Sequence, residues 1–232
     1  MVKFRNRIFV IGGWNTRTTV FELRECGLFP LRLRLPREYR VHSCAVHDDR
    51  IWVCGTRDAP HTCDSYDAGW NHVQESDTLF PHSYGSMVDS HRGLGIIGGV
   101  SPASGRNDKV EFHQDGSWTE GPTLPTRLSS HTSHNVDGVL YVLGGLVSDT
   151  GVLGQSDRVF RLGKIDNVWE EVAQLISPRS HHASVSLPNG GIMLMGDPYS
   201  IANVELYRTN STTNAVLSTV LPGIRLNKLR DR

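Results

Sequence analysis

The most regular feature of the sequence is a short apolar run that ends in one or two glycines and recurs five times. The runs are IFVIGG at 8–13, IWVCG at 51–55, LGIIGG at 94–99, LYVLGG at 140–145 and IMLMG at 192–196. Their first glycines are 43, 43, 46 and 52 residues apart. Self-similarity at such a period is the signature of a repeated supersecondary unit. The pattern therefore predicts five copies of one β unit, each with a buried strand that ends at glycine.

A second series of residues repeats with the same period. One aromatic residue follows each glycine run, and the intervals between these aromatics are 45, 46, 48 and 47 residues. A tryptophan then follows in the second, third and fourth copies. We interpret both series as core residues that fill the space between neighbouring units. The aromatics are Phe21, Tyr66, Phe112, Phe160 and Tyr207, and the tryptophans are Trp70, Trp118 and Trp169.

Turn residues support a β structure. Asp48-Asp49, Asp137-Gly138 and Asn189-Gly190 stand just before three of the glycine strands, where a tight hairpin would join strand one to strand two. No window shows a helical apolar stripe. We predict an all-β fold, a β-propeller of about five four-stranded antiparallel blades. The longest loop, at 148–157 in the fourth copy, is expected on one face of the blades.

The charge balance narrows the classes of partner. The chain has 24 Lys and Arg against 24 Asp and Glu, so no positive field draws it to nucleic acid or anionic lipid. Neither a transmembrane run nor a signal peptide is apparent. The compartment stays open, with the cytoplasm favoured over secretion of a fragment.

The four cysteines, Cys26, Cys44, Cys54 and Cys63, lack CxxC spacing and leave two interpretations open. They are either reduced, partly buried thiols, or Cys54 and Cys63 face each other across a hairpin and form a bridge.

The set of apolar run, double glycine, later aromatic and then tryptophan resembles the kelch repeat. The fourth copy is most similar, with Gly144-Gly145, Phe160 and Trp169. Two copies depart from the pattern, because Thr56 and Asp197 stand in the place of the second glycine. The resemblance covers the whole chain and implies a single propeller with approximate repeats at 1–34, 35–80, 81–124, 125–177 and 178–232.

The resemblance also raises a question of completeness, since kelch propellers have six or seven blades. The first copy opens directly on its glycine strand, and we expect it to lack a first strand of its own. We hypothesise an incomplete ring that forms one section of a longer chain, because an open ring leaves apolar faces exposed.

Arginine and histidine recur in the loop that leads into the second, fourth and fifth copies. The arginines follow Pro36, Pro125 and Pro178, and the resemblance implies that such loops line a channel mouth where guanidinium groups bind carboxylates of a partner peptide. The alternatives are salt bridges between blades for the arginines and structural contacts for the histidines. The candidate binding residues are Arg40, His42, Arg127, His131, Arg179 and His182.

These observations favour a protein-interaction module that presents its loops to a partner protein, for example an acidic peptide segment. No nucleophile, phosphate-loop or zinc-protease motif is present, and we expect neither a metal nor a cofactor. The alternative is a carbohydrate-processing enzyme or oxidoreductase domain on the same fold, because fold alone does not decide activity. A third possibility is a degenerate copy without retained function.

Overall fold

The computed structural model describes residues 1–25, 27–148, 153–163, 165, 167–196, 204–208 and the backbone of 217–220. All regular structure in these ranges is β-strand, with no helix. Accordingly, none of the described segments is a helix that could cross a membrane. The chain forms two compact units, Met1–Gly121 and Pro122–Arg232.

The first unit contains three four-stranded antiparallel sheets, each built from four consecutive strands. The first sheet has β1 (Val2–Phe4), β2 (Arg7–Ile11), β3 (Val20–Arg24) and β4 (Gly27–Pro30). The second has β5 (Ser43–His47), β6 (Arg50–Thr56), β7 (Ala59–Tyr66) and β8 (His72–Gln74). The third has β9 (Ser86–Ser90), β10 (Gly93–Ser101), β11 (Gly105–Gln114) and β12 (Ser117–Glu120).

The second unit contains two further four-stranded antiparallel sheets and one small three-stranded sheet. The fourth sheet has β14 (Thr132–Val136), β15 (Val139–Leu143), β18 (Arg158–Leu162) and β19 (Trp169–Gln174). The fifth has β20 (Ala183–Ser186), β21 (Gly191–Met195), β22 (Val204–Arg208) and β23 (Leu217–Val220). The small sheet has the order β13 (Leu128–Ser129), β16 (Leu146–Val147) and β17 (Gly154–Gln155). Five four-stranded sheets confirm the predicted fold class.

The expectation that the first copy lacks a first strand was wrong. β1 pairs with β2 in antiparallel register, with Val2 opposite Phe9. Arg5 and Asn6 join them with φ of 47° and 61°, the left-handed pair that a tight hairpin requires. The sequence concealed this strand because the turn contains no glycine or aspartate.

The apolar core lies between neighbouring sheets, as the aromatic series predicted. Phe9 and Val20 of the first sheet pack with Ile51 and Tyr66 of the second. Each fully buried side chain of this kind contributes roughly 1.5–3 kcal/mol by its removal from water. Equivalent clusters join the second sheet to the third and the fourth to the fifth.

The tryptophan series also connects neighbouring repeats by hydrogen bonds. The indole N–H of Trp118 donates to the Ser76 carbonyl at 3.0 Å, and that of Trp169 donates to the Pro122 carbonyl at 2.8 Å. Both acceptors lie in the segment that leaves the preceding repeat. Each ring therefore fills core volume while its polar edge ties one repeat to the next.

Cys54 and Cys63 form a disulfide. They lie directly opposite each other in β6 and β7, with Cα atoms 4.2 Å apart, and both are buried. Of the two interpretations that the sequence left open, the bridge is the one in the structure. Cys44 is a half-buried free thiol, and Cys26 lies outside the described residues.

Candidate functional site

In the first, second and fourth sheets, the glycine that ends the second strand is covered closely by the loop that enters the next sheet. Gly12 has a φ of 58°, and a Cβ added there would lie 2.3 Å from the carbonyl oxygen of Tyr39. Gly55 meets His82 in the same way at 2.6 Å, and Gly144 meets Arg179 at 2.7 Å. Both the positive φ and the close backbone approach require glycine. Tyr39, His82 and Arg179 therefore occupy one equivalent position, which we call the anchor position.

The anchor residue reaches down to a buried acid on the third strand of the sheet it introduces. The Tyr39 hydroxyl donates to Asp64 at 2.6 Å, His82 Nε2 lies 2.9 Å from Glu111, and Arg179 lies 2.7 Å from Glu205. The three acids are fully buried. Each acid stands opposite the residue two places before its strand-ending glycine, namely Val53, Ile96 and Leu194.

The fourth sheet replaces this polar pair by an apolar one. Gap-free alignment of LPREYRVHS at 35–43 with LPTRLSSHT at 124–132 places Leu128 at the anchor position. Phe160 lies opposite Val142 and so takes the place of the acid. Both side chains are buried. The exchange of both partners together shows that the position serves to fill and fix the base of the loop.

Arg179 is consequently an internal residue. Its side chain is fully buried with Glu205, which also accepts a hydrogen bond from the Ile176 amide at 2.8 Å. A partner that binds the surface does not reach this guanidinium.

The three candidate histidines lie three residues after their anchors and face the protein interior. Burial lowers the pKa of His42 to about 4, and its ring bonds to the Ile11 backbone. Burial and the neighbouring charge of Arg179 lower the pKa of His182 to about 3, and His182 Nε2 lies 3.0 Å from Thr132 Oγ1. His131 is also buried. These three rings fix the start of the first strand of their sheets.

Arg127 is exposed, because it precedes the anchor position by one residue. Successive side chains of an extended segment point to opposite sides, so Arg127 faces solvent where Leu128 faces the core. An arginine after a proline is thus buried in the fifth sheet, where it directly follows Pro178 and occupies the anchor position, and exposed in the fourth, where it lies one residue before that position.

Arg40, which directly follows the anchor Tyr39, belongs to an exposed group that we call the Trp14 cluster. It comprises Trp14, Arg17, Glu38, Arg40, Arg57 and Asp58. Trp14 follows the double glycine of the first sheet, and 58% of its surface is exposed. The guanidinium carbons of Arg40 and Arg57 lie 5.7 and 6.0 Å from its ring centre.

Two ion pairs organise the cluster. Arg40 donates to Asp58 at 2.5 Å, and this bond raises the pKa of Arg40 and lowers that of Asp58. Arg17 donates to Glu38 at 2.8 Å and to the Trp14 carbonyl at 3.2 Å. With three guanidinium groups against two carboxylates, the cluster is a positively charged, aromatic surface. Guanidinium groups beside an aromatic ring suit the binding of carboxylates and flat polar groups.

Sequence reasoning found Arg40 but missed Trp14, Arg17 and Arg57. Trp14 does not belong to the tryptophan series of the core, because it directly follows the double glycine. This unusual position was the one feature of the sequence that could have marked Trp14 as a surface residue. Arg17, in the same loop as Trp14, and Arg57, which reaches Trp14 from another loop, belong to no repeated pattern and so carried no signal. Within the described residues, no group of three His, Cys, Asp or Glu side chains is placed to hold a metal ion.

The comparisons with known proteins agree with this architecture. The solved structure titled "Structure of YjhT", a β-propeller, superposes with a TM-score of 0.72 at 13% identity, over 87% of this chain and 75% of that chain. The chain has a β-propeller fold. Its four-stranded sheets are therefore blades, and the anchor loops are the connections between successive blades.

The sequence similarity is narrower. Kelch repeat and BTB domain-containing protein 1 of cowpox virus (strain Brighton Red) is 27% identical over 94 residues, which is 40% of this chain and 17% of that protein. The match thus spans less than a fifth of that relative. No family model matches the chain.

Proposed function

We propose that this chain is a kelch-repeat propeller that acts as a protein-interaction module, and that the Trp14 cluster binds an acidic segment of its partner. The observation that carries the proposal is the exposed Trp14 ring with two guanidinium groups against it. The partial similarity to a kelch-repeat protein supports the repeat assignment.

The chemistry of the cluster favours a polypeptide with carboxylates. Tryptophan and arginine are the residues that most often dominate the binding energy of protein interfaces. Arg57 has no ion pair within the described part of the chain. In the Arg40–Asp58 pair the carboxylate is the exposed member, with 58% of the Asp58 side chain accessible against 17% of Arg40. An incoming Glu or Asp side chain would gain charge-assisted hydrogen bonds beside a ring that excludes water.

The proposal is tested with an array of immobilised ten-residue peptides of graded Glu and Asp content. We expect binding to increase with carboxylate number and to weaken in high salt, because the pairs are exposed. The double variant Trp14→Ala/Arg57→Ala should bind the acidic peptides at least tenfold more weakly.

A control double variant removes similar groups from the same unit outside the cluster. Leu79, with 54% of its surface exposed, matches the exposure of Trp14, and Arg5 lies in the β1–β2 turn at the opposite end of the strands. Leu79→Ala/Arg5→Ala should bind like the unaltered protein. The proposal is wrong if peptide binding does not depend on carboxylate content, or if both double variants weaken it equally.

A further inference from the structure

The second unit contains a pocket between the β16–β17 pair of strands and the segment that precedes β20. Its volume is about 500 Å³, within the 300–1,000 Å³ range of ligand sites. One wall is formed by the paired strands β16 and β17, and the other by the loop that carries Pro178 and Ser180. The described lining residues are Leu146, Leu153, Gly154, Gln155, Pro178, Ser180 and His181.

The walls are apolar and the floor is polar. Leu146, Leu153 and Pro178 supply the hydrophobic surface, and 57% of Leu153 is exposed. Beneath them, Gln155 Nε2 donates to the buried Ser180 hydroxyl at 3.1 Å, and Ser180 Oγ lies 3.2 Å from His181 Nδ1. Because its amide nitrogen is held by Ser180, the Gln155 carbonyl oxygen has a fixed direction. Within the described residues no donor pairs with that oxygen.

We propose that this pocket binds an uncharged polypeptide segment by taking up one large aliphatic or aromatic side chain between Leu146, Leu153 and Pro178. The Gln155 carbonyl oxygen would accept a hydrogen bond from the backbone amide of that segment. The proposal takes from the proposed function only that the ligand is a polypeptide, and it concerns a different surface and a different chemistry.

The lining selects against the other common ligand classes. None of the described lining residues is Lys, Arg, Asp or Glu, and both ring nitrogens of His181 already lie within hydrogen-bond distance of Ser130 and Ser180. A charged group entering the pocket would therefore lose hydration without gaining an ion pair. None of the described lining residues is Trp, Tyr or Phe, the rings on which sugars usually stack, and the one aromatic ring of the lining is the His181 imidazole. An apolar side chain flanked by a peptide amide matches both the walls and the single fixed acceptor.

Gly154 allows the pocket to be blocked without removing any native contact. An added Cβ at this position meets no atom within 4 Å, and its φ is not in the left-handed region. Gly154→Leu should therefore fold normally and fill part of the pocket. A second variant, Leu153→Asp, places a charge in the apolar wall. Val168→Asp is its control, because Val168 is 59% exposed and is not among the lining residues.

The measurement is a titration of the full chain, with leucine methyl groups and Gln155 side-chain amide followed by NMR. The probes are N-acetyl-phenylalanine methylamide and N-acetyl-leucine methylamide, compared with N-acetyl-glutamate methylamide and methyl glucoside. We expect saturable shifts at Leu146, Leu153 and Gln155 with the two apolar probes only. Gly154→Leu and Leu153→Asp should weaken this binding at least tenfold, and Val168→Asp should not.

Several results overturn the inference. These are no saturable shift with either apolar probe, equal binding of the glutamate probe, preferential binding of the glucoside, or binding that Gly154→Leu leaves unchanged. Binding of acidic peptides to the Trp14 cluster is measured on the same Gly154→Leu protein. That variant should bind acidic peptides like the unaltered protein. In the unaltered protein, acidic-peptide binding without binding of the apolar probes overturns the pocket alone, whereas binding of the apolar probes without binding of acidic peptides overturns the proposed function alone.

Discussion

The anchor position shows how one place in a repeat can hold tyrosine, histidine, leucine or arginine. The two side chains change together. Tyr39, His82 and Arg179 each contact a buried acid, whereas Leu128 belongs to the blade in which Phe160 takes the place of that acid. A buried charge is tolerated only when its partner is present. Polarity at this position is therefore decided pair by pair.

The first prediction separates the two members of one pair. Arg179→Leu should lower the free energy of unfolding by roughly 3–5 kcal/mol, because it leaves Glu205 buried without its counter-charge. The double variant Arg179→Leu/Glu205→Phe copies the Leu128 and Phe160 pair and should recover much of the loss. Recovery should be incomplete, since the Ile176 amide loses its acceptor.

Urea unfolding of the two variants and the unaltered protein measures these differences. A double variant that is less stable than Arg179→Leu would show that the ion pair is required for its own sake. A single variant with unaltered stability would show that Glu205 is neutral or hydrated once Arg179 is removed.

At the scale of elements, the hairpin of β6 and β7 is fixed by more than its backbone ladder. The disulfide joins residues nine positions apart at the glycine end of the strands, directly beside Gly55. The hairpin leads into Arg57 and Asp58, which belong to the Trp14 cluster. A covalent link here restricts the unfolded chain and holds the base of a candidate binding loop.

The second prediction concerns this link. Cys54→Ala/Cys63→Ala should lower the free energy of unfolding by roughly 2.5–3 kcal/mol, the chain-entropy value for closing a loop of this length. Thermal or urea unfolding measures the change. Cys44→Ala, which removes a free thiol of the same blade, should not reproduce it.

A reducing agent provides an independent check. It should lower the stability of the unaltered protein toward that of the double variant and should leave the double variant unchanged. An equal effect of the reductant on both proteins would contradict the assignment of the stability to this bridge.

At the scale of the whole molecule, buried neutral histidines couple stability to pH. Burial lowers the pKa of His42 and His134 to about 4 and that of His182 to about 3, from an ordinary value of 6.5. Below pH 6.5 the unfolded chain binds protons at these sites and the folded chain does not. The unfolded state is therefore favoured increasingly as the pH falls from 6.5 to about 4.

The acids do not produce this early loss. Arg7 and Arg24 lower the pKa of Glu22 to about 2, and Asp58 is lowered by Arg40. Carboxylates of this kind cost stability only when the pH falls below their unfolded-state values near 4, toward the lowered folded ones. The window from 6.5 to 4.5 thus reports the histidines.

The third prediction uses His134, whose ring nitrogens lie 2.6 and 2.8 Å from the hydroxyls of Ser184 and Ser186. The melting temperature of the unaltered protein should fall between pH 6.5 and 4.5. His134→Gln keeps a polar side chain but does not titrate, so its melting temperature should fall less steeply over this window. Equal pH dependence in the two proteins would contradict the role of His134.

The repeat itself could be predicted because its signals are local. A strand-ending glycine, a following aromatic and a tight turn each depend on residues close in sequence, and all five first glycines have the positive φ that the pattern implied. The strand at Val2–Phe4 was missed because its Arg5-Asn6 turn lacks the Asp or Gly that marked the other hairpins. The candidate site was predicted only in part, because Trp14, Arg40 and Arg57 lie on three separate loops.

The sequence by itself determined an all-β repeat with its core, since period and turn chemistry leave one arrangement of buried strands. Only the tertiary structure decided which polar side chains reach solvent. Arg127 and Arg179 both follow a proline at the entry to a blade, yet one residue of register makes the first exposed and the second fully buried. Whether the arginine is buried depends on a buried acid on a strand 26 residues further along the chain, as Glu205 is for Arg179. Contacts of this range are absent from any local pattern.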